Sequence, residues 1–278
     1  MKKLLKKDIQ NFQECIYNYY NENRRSFTWR EEISAYRVVV SEIMLQQTQT
    51  SRVMHKFEEW MKSFPSFKDL SRASVQQVLS CWQGLGYNRR GLALYEFAKR
   101  VEVEFKGVVP ANEVVLQTFK GIGPNTAGSI CAFAFNKPVV FIETNIRTVF
   151  IHSFFKGQKD IHDKQLLPLI EQTLDKDNAR EWYYALMDYG VYLKTTLKVS
   201  NQASKHYATQ TRFEGSKRQM RGAIVRVLSK VHTMSYDELS ELITFELPEN
   251  KHDLYGVVND LQKDGFITVK NDIIAITV

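Results

Sequence analysis

Cysteine is scarce in this chain and never clustered. The 278 residues include three cysteines, Cys15, Cys81 and Cys131, which lie far apart and form no Cys-x-x-Cys pair. Their number and spacing argue against a disulfide framework and a zinc site. We therefore expect no bound metal and a reducing, cytoplasmic compartment.

Long apolar runs are also lacking. Met1 to Lys7 is basic, but no long hydrophobic stretch follows it, so we expect neither a signal peptide nor a membrane span. The hydrophobic content of 44% is enough for one large domain or two modest ones. Basic residues outnumber acidic ones by 38 to 31, and the net charge of +7 suits a polyanionic partner.

Two glycines mark the stretch from Phe119 to Thr126, which has the sequence FKGIGPNT. Gly121 and Gly123 flank one apolar residue, and Pro124 stands where a first helical residue would lie. The pattern predicts a tight hairpin that leads into a helix, whose first backbone N–H groups can hold a phosphate. An ordinary turn between two helices would have the same pattern.

Two glutamates stand in apolar surroundings. Glu42 lies in a predicted helix that runs from about Ser34 or Tyr36 to Leu45, and Glu143 follows an apolar run and precedes a predicted helix. Burial of an ionised carboxylate is costly, so Glu42 either faces a cleft with a raised pKa, as a general acid requires, or pairs with an arginine. Two such carboxylates can act together, one as acid and one as the anion that stabilises a cationic transition state.

A third pattern, GLGYNRR, runs from Gly84 to Arg90. Glycines free the backbone to turn, Tyr87 stands at the tip, and two arginines follow. Such a tyrosine can press into stacked bases while arginines hold phosphate, although an aromatic residue of this kind more often fills its own core.

The C-terminal residues 213–278 read as a separate small domain. The pattern predicts a helix over Lys217 to Val231, a second helix capped by Ser235, a third over about Lys251 to Lys263, and strands at Phe266 to Val269 and Ile273 to Val278. Three helices and a hairpin resemble a winged helix-turn-helix, which binds either DNA or protein. A basic stretch that leads into this domain and includes its first residues either contacts phosphates or forms a solvated linker: Lys194, Lys198, Lys205, His206, Arg212, Lys217, Arg218 and Arg221.

Several motifs occur together in one order: SEIMLQQTQ at Ser41 to Gln49, Gly84 to Tyr87, the hairpin at Gly121 to Thr126, and ALMDYG at Ala185 to Gly190. In this order they resemble the adenine-specific (MutY-like) DNA glycosylases of the helix-hairpin-helix superfamily. The resemblance covers about Phe27 to Leu193. It implies a mainly α, two-lobed glycosylase core in residues 1–212, followed by the winged-helix domain in residues 213–278.

The resemblance also implies roles for individual residues. Glu42 matches the acid that protonates the departing adenine at N7, Glu143 the catalytic aspartate that stabilises the oxocarbenium-like sugar, and Asn145 the asparagine beside it. Val39 and Tyr184 fall near the base pocket. The residues expected to contact DNA are Gln46, Gln47, Tyr87, Arg89, Lys120, Gly121, Gly123, Asn125 and Thr126, among which Gln47 and Tyr87 match residues that invade the duplex beside a flipped base.

Four departures from the family pattern are informative. Glu143 is one methylene longer than the family's aspartate. Asn125 stands where endonuclease III has its Schiff-base lysine, so strand cleavage should be weak or absent, although Lys120 lies nearby. Leu193 to Thr209 contains no cysteine, so we expect no iron–sulfur cluster, while the hairpin could still take a monovalent cation. The C-terminal unit stands in place of the Nudix-like domain of typical members.

The expected function is hydrolytic removal of a base in base excision repair, most simply adenine mispaired with 8-oxoguanine or guanine. The enzyme would act as a nucleoid-associated monomer on double-stranded DNA, with no membrane partner. The alternatives are a glycosylase for another base, such as thymine or uracil opposite guanine, and a non-catalytic DNA-binding protein.

Overall fold

The computed structural model of the protein describes residues 3–209, 211–231 and 233–277. Met1 and Val278, the outer bounds of the two predicted domains, lie outside these ranges. Residue contacts divide the chain into a first unit, Met1–Glu42 with Pro110–Thr209, and a second unit, Ile43–Val109 with Gln210–Val278. Each unit is therefore built from two separate stretches of sequence.

The described residues are mainly helical, as the sequence predicts. The helices are α1 (Lys6–Asn23), α2 (Thr28–Glu31), α3 (Ala35–Leu45), α4 (Thr50–Ser63), α5 (Phe67–Arg72), α6 (Val75–Trp82), α7 (Arg89–Phe105), α8 (Glu113–Leu116), α9 (Pro124–Phe135), α10 (Thr144–Phe154), α11 (Asp163–Thr173), α12 (Ala179–Thr195), α13 (Lys217–Val231), α14 (Tyr236–Glu246) and α15 (Leu254–Lys263). Among the described residues, no helix is both long and apolar enough to cross a membrane.

Local capping chemistry explains where several helices begin. Ser235 and Glu238 form the predicted capping box of α14. The Ser235 side chain accepts from the Glu238 backbone N–H, and the Glu238 side chain accepts from the Ser235 backbone N–H. The third C-terminal helix begins later than predicted, at Leu254, because the Asp253 carboxylate accepts from two first-turn amides. Helix α1 ends at Asn23, because the backbone of Arg24 leaves the helical region.

The first unit packs α1, α9 and α10 against α12. Asp188 of α12 is the main polar group in this packing, because it is buried and holds two arginines that precede α3. Its carboxylate accepts from the Arg25 backbone N–H at 2.8 Å and forms ion pairs with Arg25 at 2.7 Å and Arg30 at 3.0 Å. The motif that carried the family resemblance thus fixes the chain just before α3.

In the second unit, the C-terminal segment shares a hydrophobic core with α6. Leu79 of α6 packs with Ile224 and Leu228 of α13, and the Gln76 side chain donates to the Ser229 carbonyl at 2.9 Å. The strands β1 (Thr233–Ser235), β2 (Ile267–Lys270) and β3 (Ile273–Ile276) form an antiparallel sheet in the order β1-β3-β2. Strand β1 is absent from the sequence-based prediction, and the domain boundary at 212/213 and the winged-helix assignment stay predictions.

The Asp188 cluster gives a test of the first unit's stability. Asp188→Ala leaves two arginine charges without their buried partner, so we expect the free energy of unfolding to fall by about 3–5 kcal/mol in urea denaturation followed by circular dichroism. The matched control is Glu32→Ala, because the Glu32 side chain is 78% exposed in its ion pair with Arg37. That change should cost about 0–1 kcal/mol. Equal effects of the two variants would contradict this account.

Candidate active site

Glu42 lies near the C-terminal end of α3 and is partly buried in the first unit. The pKa of its carboxyl group is raised to about 7, mainly by burial and also by the nearby charge of Glu143, while a hydrogen bond to Ser129 and the charge of Arg30 oppose the rise. The Ser129 hydroxyl also lies 3.1 Å from the Thr126 carbonyl, to which it donates. Because this hydroxyl has one hydrogen, its donation to the Thr126 carbonyl competes with donation to an ionised Glu42.

The arginine alternative for Glu42 finds little support in these contacts. Arg30 interacts electrostatically with Glu42, but its guanidinium donates to Asp188 at 3.0 and 3.1 Å. Within the described ranges Glu42 forms no ion pair. Its carboxyl group is therefore poised to carry a proton near neutral pH, as the general-acid interpretation requires.

Glu143 is the N-cap of α10. One of its carboxylate oxygens accepts from the backbone N–H groups of Asn145 and Ile146 at 2.8 and 3.1 Å, and the other lies 3.5 Å from the Asn145 side-chain nitrogen. A carboxylate at a helix N-terminus is stabilised by these amides and by the helix dipole. The longer side chain of glutamate is thus accommodated by capping its own helix.

Lys194 is a cation that interacts electrostatically with Glu143. It lies one turn beyond Gly190 on α12, and a Cβ at Gly190 would fall 2.6 Å from the Asn145 carbonyl oxygen. Because residues four apart share a helix face, Lys194 faces the same end of α10. Burial lowers the Lys194 pKa and the Glu143 charge partly offsets this. The sequence analysis placed Lys194 in a basic stretch that either contacts phosphates or forms a solvated linker, and its position one helical turn after Gly190 was the signal for its proximity to Glu143.

The surroundings of the two carboxylates favour ionisation of Glu143 before ionisation of Glu42. Burial raises the pKa of Glu143, but the amides of Ile146 and Asn145 and the charges of Lys194 and Arg147 all favour its ionised form. Glu42 has no comparable set of partners, and the charge on Glu143 makes its ionisation harder still. These contacts favour ionisation of Glu143 over ionisation of Glu42, which gives a neutral acid and an anion within one unit.

The predicted base-pocket residues are both buried in the first unit. Val39 has no exposed surface and Tyr184 is 4% exposed. The Tyr184 ring stacks on Phe133 with centroids 4.6 Å apart, and the Arg30 guanidinium lies 4.3 Å from its centroid. Arg30 thus connects Asp188, Tyr184 and the surroundings of Glu42, a link that the sequence analysis missed because nothing in the local pattern marks it.

The glycine hairpin joins α8 to α9. Gly121 has φ of +80°, Gly123 is the N-cap of α9, and Pro124 is its first residue, as predicted. Lys120 and Asn125 are exposed and Thr126 is partly so. The Asn125 side-chain oxygen accepts from the Ile142 backbone N–H at 3.2 Å, so the hairpin is tied to the segment that leads into Glu143.

In the second unit, one partly buried arginine, Arg90, organises the predicted duplex-contacting residues. The Arg90 guanidinium donates to carbonyl oxygens on both sides of a turn and to one hydroxyl: Ile43 at 3.0 Å, Met44 at 2.9 Å, Gln46, Leu85 at 2.9 Å, Gly86 at 3.0 Å and Thr48 Oγ1 at 2.9 Å. Gln46 is partly buried, and Gln47 is exposed with φ of +56°. Arg90 therefore joins the end of α3 to the Gly84–Tyr87 turn.

Tyr87 stands at the tip of that turn with φ of +48°, a conformation that costs a non-glycine residue about 1–2 kcal/mol. Its side chain is partly buried rather than sealed in a core, and Arg89 beside it is exposed. The turn is held from α6 by the Trp82 indole, which donates to the Gly86 carbonyl at 3.1 Å. A strained residue presented on a supported turn is typical of a functional position.

The residues do not fit an iron–sulfur cluster. A cluster of this family needs four thiolates, whereas the sequence has three cysteines, which lie on α1, α6 and α9. The stretch after α12 is instead anchored by Asn201, whose side chain accepts from the Thr148 hydroxyl at 2.8 Å and donates to the Thr144 carbonyl at 3.2 Å. Hydrogen bonds therefore tie this stretch to the first turns of α10. Throughout the described ranges, no group of three or more His, Cys, Asp or Glu side chains could hold a metal ion.

Comparison with known proteins gives a consistent family. Residues 40–174 match the family of HhH-GPD superfamily base excision DNA repair proteins. The adenine DNA glycosylase of Rattus norvegicus is 32% identical over 200 residues, which are 68% of this chain and 39% of that protein. The adenine DNA glycosylase of Mycolicibacterium smegmatis is 30% identical over 230 residues, which are 77% of this chain and 78% of that protein. The chain thus spans about two fifths of the length of its mammalian relative.

Solved structures show the same fold. A thermostable thymine-DNA glycosylase matches with a TM-score of 0.62 and 24% identity over 69% of this chain and 90% of its own. A non-covalent endonuclease III–DNA complex matches with a TM-score of 0.58 and 12% identity over 72% of this chain and 97% of its own. The fold, the matched residues 40–174 and the relatives agree: the chain belongs to the HhH-GPD superfamily of base excision DNA repair proteins, in its MutY-like branch.

Proposed function

We propose that this protein is a monofunctional DNA glycosylase that hydrolyses the N-glycosidic bond of adenine mispaired with 8-oxoguanine or guanine. The observation that carries the proposal is the pair formed by Glu42, with its pKa near 7, and the amide-capped Glu143. Relatives named adenine DNA glycosylases support adenine as the substrate. A monomer acting on chromosomal DNA in the cytoplasm is the simplest setting.

The proposed chemistry follows from the two protonation states. Glu42 donates its proton to N7 of an adenine flipped out of the duplex, which makes the base a better leaving group. As the bond to the sugar C1′ lengthens, positive charge develops on the sugar and the Glu143 carboxylate stabilises it. Water then supplies a hydroxyl group to C1′ and releases a proton to solvent, from which Glu42 is reprotonated.

DNA contacts are proposed within each unit. In the first unit, the hairpin from Lys120 to Thr126 offers backbone amides and one cation to a phosphate. In the second, Gln46 and Gln47 directly after α3, and Tyr87 and Arg89 at the supported turn, are proposed to contact the duplex. Asn125 carries no amine, so the product should be an intact abasic strand. The unpartnered side-chain oxygen of Asn145, buried beside Glu143, is free within the described residues to accept from substrate.

The direct test is single-turnover base release from duplexes that contain A opposite 8-oxoguanine, A opposite G, T opposite G or U opposite G. We expect release of adenine, with strand breakage only after hot alkali. Glu42→Gln should lower the rate constant by about 10²- to 10⁴-fold, because the amide cannot protonate the base. Glu32→Gln, at an exposed carboxylate of the same unit, is the matched control and should leave the rate unchanged.

Each adverse outcome has a distinct meaning. Wild-type release by Glu42→Gln would remove the assigned acid. Release of thymine or uracil would move the specificity to another base, and release from no duplex would favour a DNA-binding protein without catalysis.

The raised pKa of Glu42 predicts the pH dependence of base release. The acid must be protonated, so the single-turnover rate constant should be level just below pH 7 and fall about tenfold per pH unit well above the pKa of about 7. At low pH the rate should fall again as Glu143 becomes protonated. Stopped-time assays across this range would show both limbs, and a rate that keeps rising above pH 8 would contradict the assignment.

The same shift makes a prediction about stability. The folded-state pKa of Glu42 is raised from 4.5 to about 7, so its contribution to stability is present below about pH 4.5 and is lost as pH rises through 7. Glu42→Gln removes this loss. At pH 8 the variant should be more stable than wild type, by up to about 3 kcal/mol.

We also propose that the protein works without an iron–sulfur cluster. The lack of a fourth thiolate and the anchoring of residues 201–205 by Asn201 and Ile161 support this. Protein purified from cells grown with added iron should be colourless and contain no stoichiometric iron, and chelators should not change base release. A brown protein that loses iron and activity together would overturn the proposal.

A further inference from the structure

Arg218 of α13 holds the side chain of Tyr87. Its Nη1 donates to the Tyr87 hydroxyl at 2.8 Å, although 131 residues separate the two in sequence, and its Nη2 donates to the Thr211 carbonyl at 2.7 Å. The guanidinium carbons of Arg218 and Arg90 lie 5.8 and 5.6 Å from the Tyr87 ring centroid. The tyrosine is therefore held by one arginine from its own turn and by one from the C-terminal segment.

The partners of Arg218 differ from those of three other cations of α13. Lys217 pairs with Asp260, Arg221 pairs with Asp264 at 2.6 Å, and Arg226 pairs with Glu246. Arg218 contacts a phenol, a carbonyl and a hydroxyl, and it forms no ion pair within the described residues. Its positive charge is thus kept uncompensated next to an aromatic residue on a strained turn.

Both contacts rest on a rigid connection within the second unit. Helix α13 packs on α6 through Leu79, Ile224 and Leu228, and α6 leads directly into the turn that ends at Tyr87. Because the two arginines and the tyrosine are fixed by the same packing, the side chain of Tyr87 loses little further freedom when it meets a ligand.

We propose that Arg218 is a DNA-contacting and positioning residue, which orients Tyr87 for insertion into the duplex and keeps its charge for a backbone phosphate beside the insertion point. The C-terminal segment thereby contributes to DNA recognition through α13. This inference rests on the DNA-binding part of the proposed function and not on its catalytic part. It differs from a winged-helix module that reads a separate stretch of DNA with α15.

The test compares Arg218→Met, Tyr87→Phe, the double variant and Arg226→Met, a control on the same helix whose ion pair lies on the surface. Two properties are measured with a duplex that contains A opposite 8-oxoguanine and 2-aminopurine beside the adenine. The first is the salt dependence of Kd, and the second is the fluorescence rise as bases unstack. Thermal unfolding of each variant confirms that it is folded.

Three results are expected. Arg218→Met should weaken binding about tenfold and lower the slope of log Kd against log salt by about 1, because one phosphate contact is lost. Tyr87→Phe should keep the salt slope but reduce the fluorescence rise, because the ring is no longer held by its hydroxyl. The fluorescence rise of the double variant should be no smaller than that of whichever single variant gives the smaller rise. Both substitutions break the same interaction, so their effects should not add.

Two results would overturn the inference: a salt slope unchanged by Arg218→Met, or fluorescence losses that simply add in the double variant. If Arg218→Met does not fold, Tyr87→Phe and Arg218→Lys decide the question, because lysine keeps the charge and should retain the slope while losing the tyrosine contact. Binding and unstacking are measured without catalysis. A protein that shows both effects but releases no adenine would therefore disprove the proposed function while leaving this inference standing.

Discussion

The burial of the Glu42 carboxyl group, which raises its pKa to about 7, is the constraint on which the proposed chemistry of the first unit depends. Burial alone would raise the pKa of both Glu42 and Glu143, and two equal acids would be of little use to a reaction that needs one proton and one negative charge. The amides at the start of α10, together with Lys194, remove this symmetry by favouring the ionised form of Glu143. The packing of α12 on α10 through Gly190 is what brings these groups together.

In the second unit, the main constraint is mechanical: the turn that carries Tyr87 must be supported by its neighbours. In its proposed role Tyr87 enters a base stack and must resist displacement, but it lies on a turn with few backbone constraints of its own. Arg90 supplies constraints from the end of α3, Trp82 from α6, and Arg218 from α13. Each of these three side chains donates hydrogen bonds to backbone or hydroxyl oxygens. These bonds support the turn without a regular sheet or helix around it.

The sequence predicted the site best where a residue conflicted with its surroundings. A lone carboxylate in an apolar helix, glycines around a single apolar residue, and a serine three positions before a glutamate are visible in one short window. The partners of these residues are not, because Asp188 meets Arg30 across 158 residues and Arg218 meets Tyr87 across 131. Strand β1 was missed for a related reason, since three residues are too few for a period and its pairing with β3 is decided by distant sequence.

The interleaving of the two units has a consequence for how the chain folds during synthesis. Domains fold as units while the chain emerges from the ribosome. The unit that carries both carboxylates is complete once residue 209 has emerged, although residues 43–109 were made long before and still lack α13. Leu79 and its neighbours on α6 therefore keep their apolar surface exposed until α13 has been synthesised. During this interval the nascent protein is most prone to aggregation.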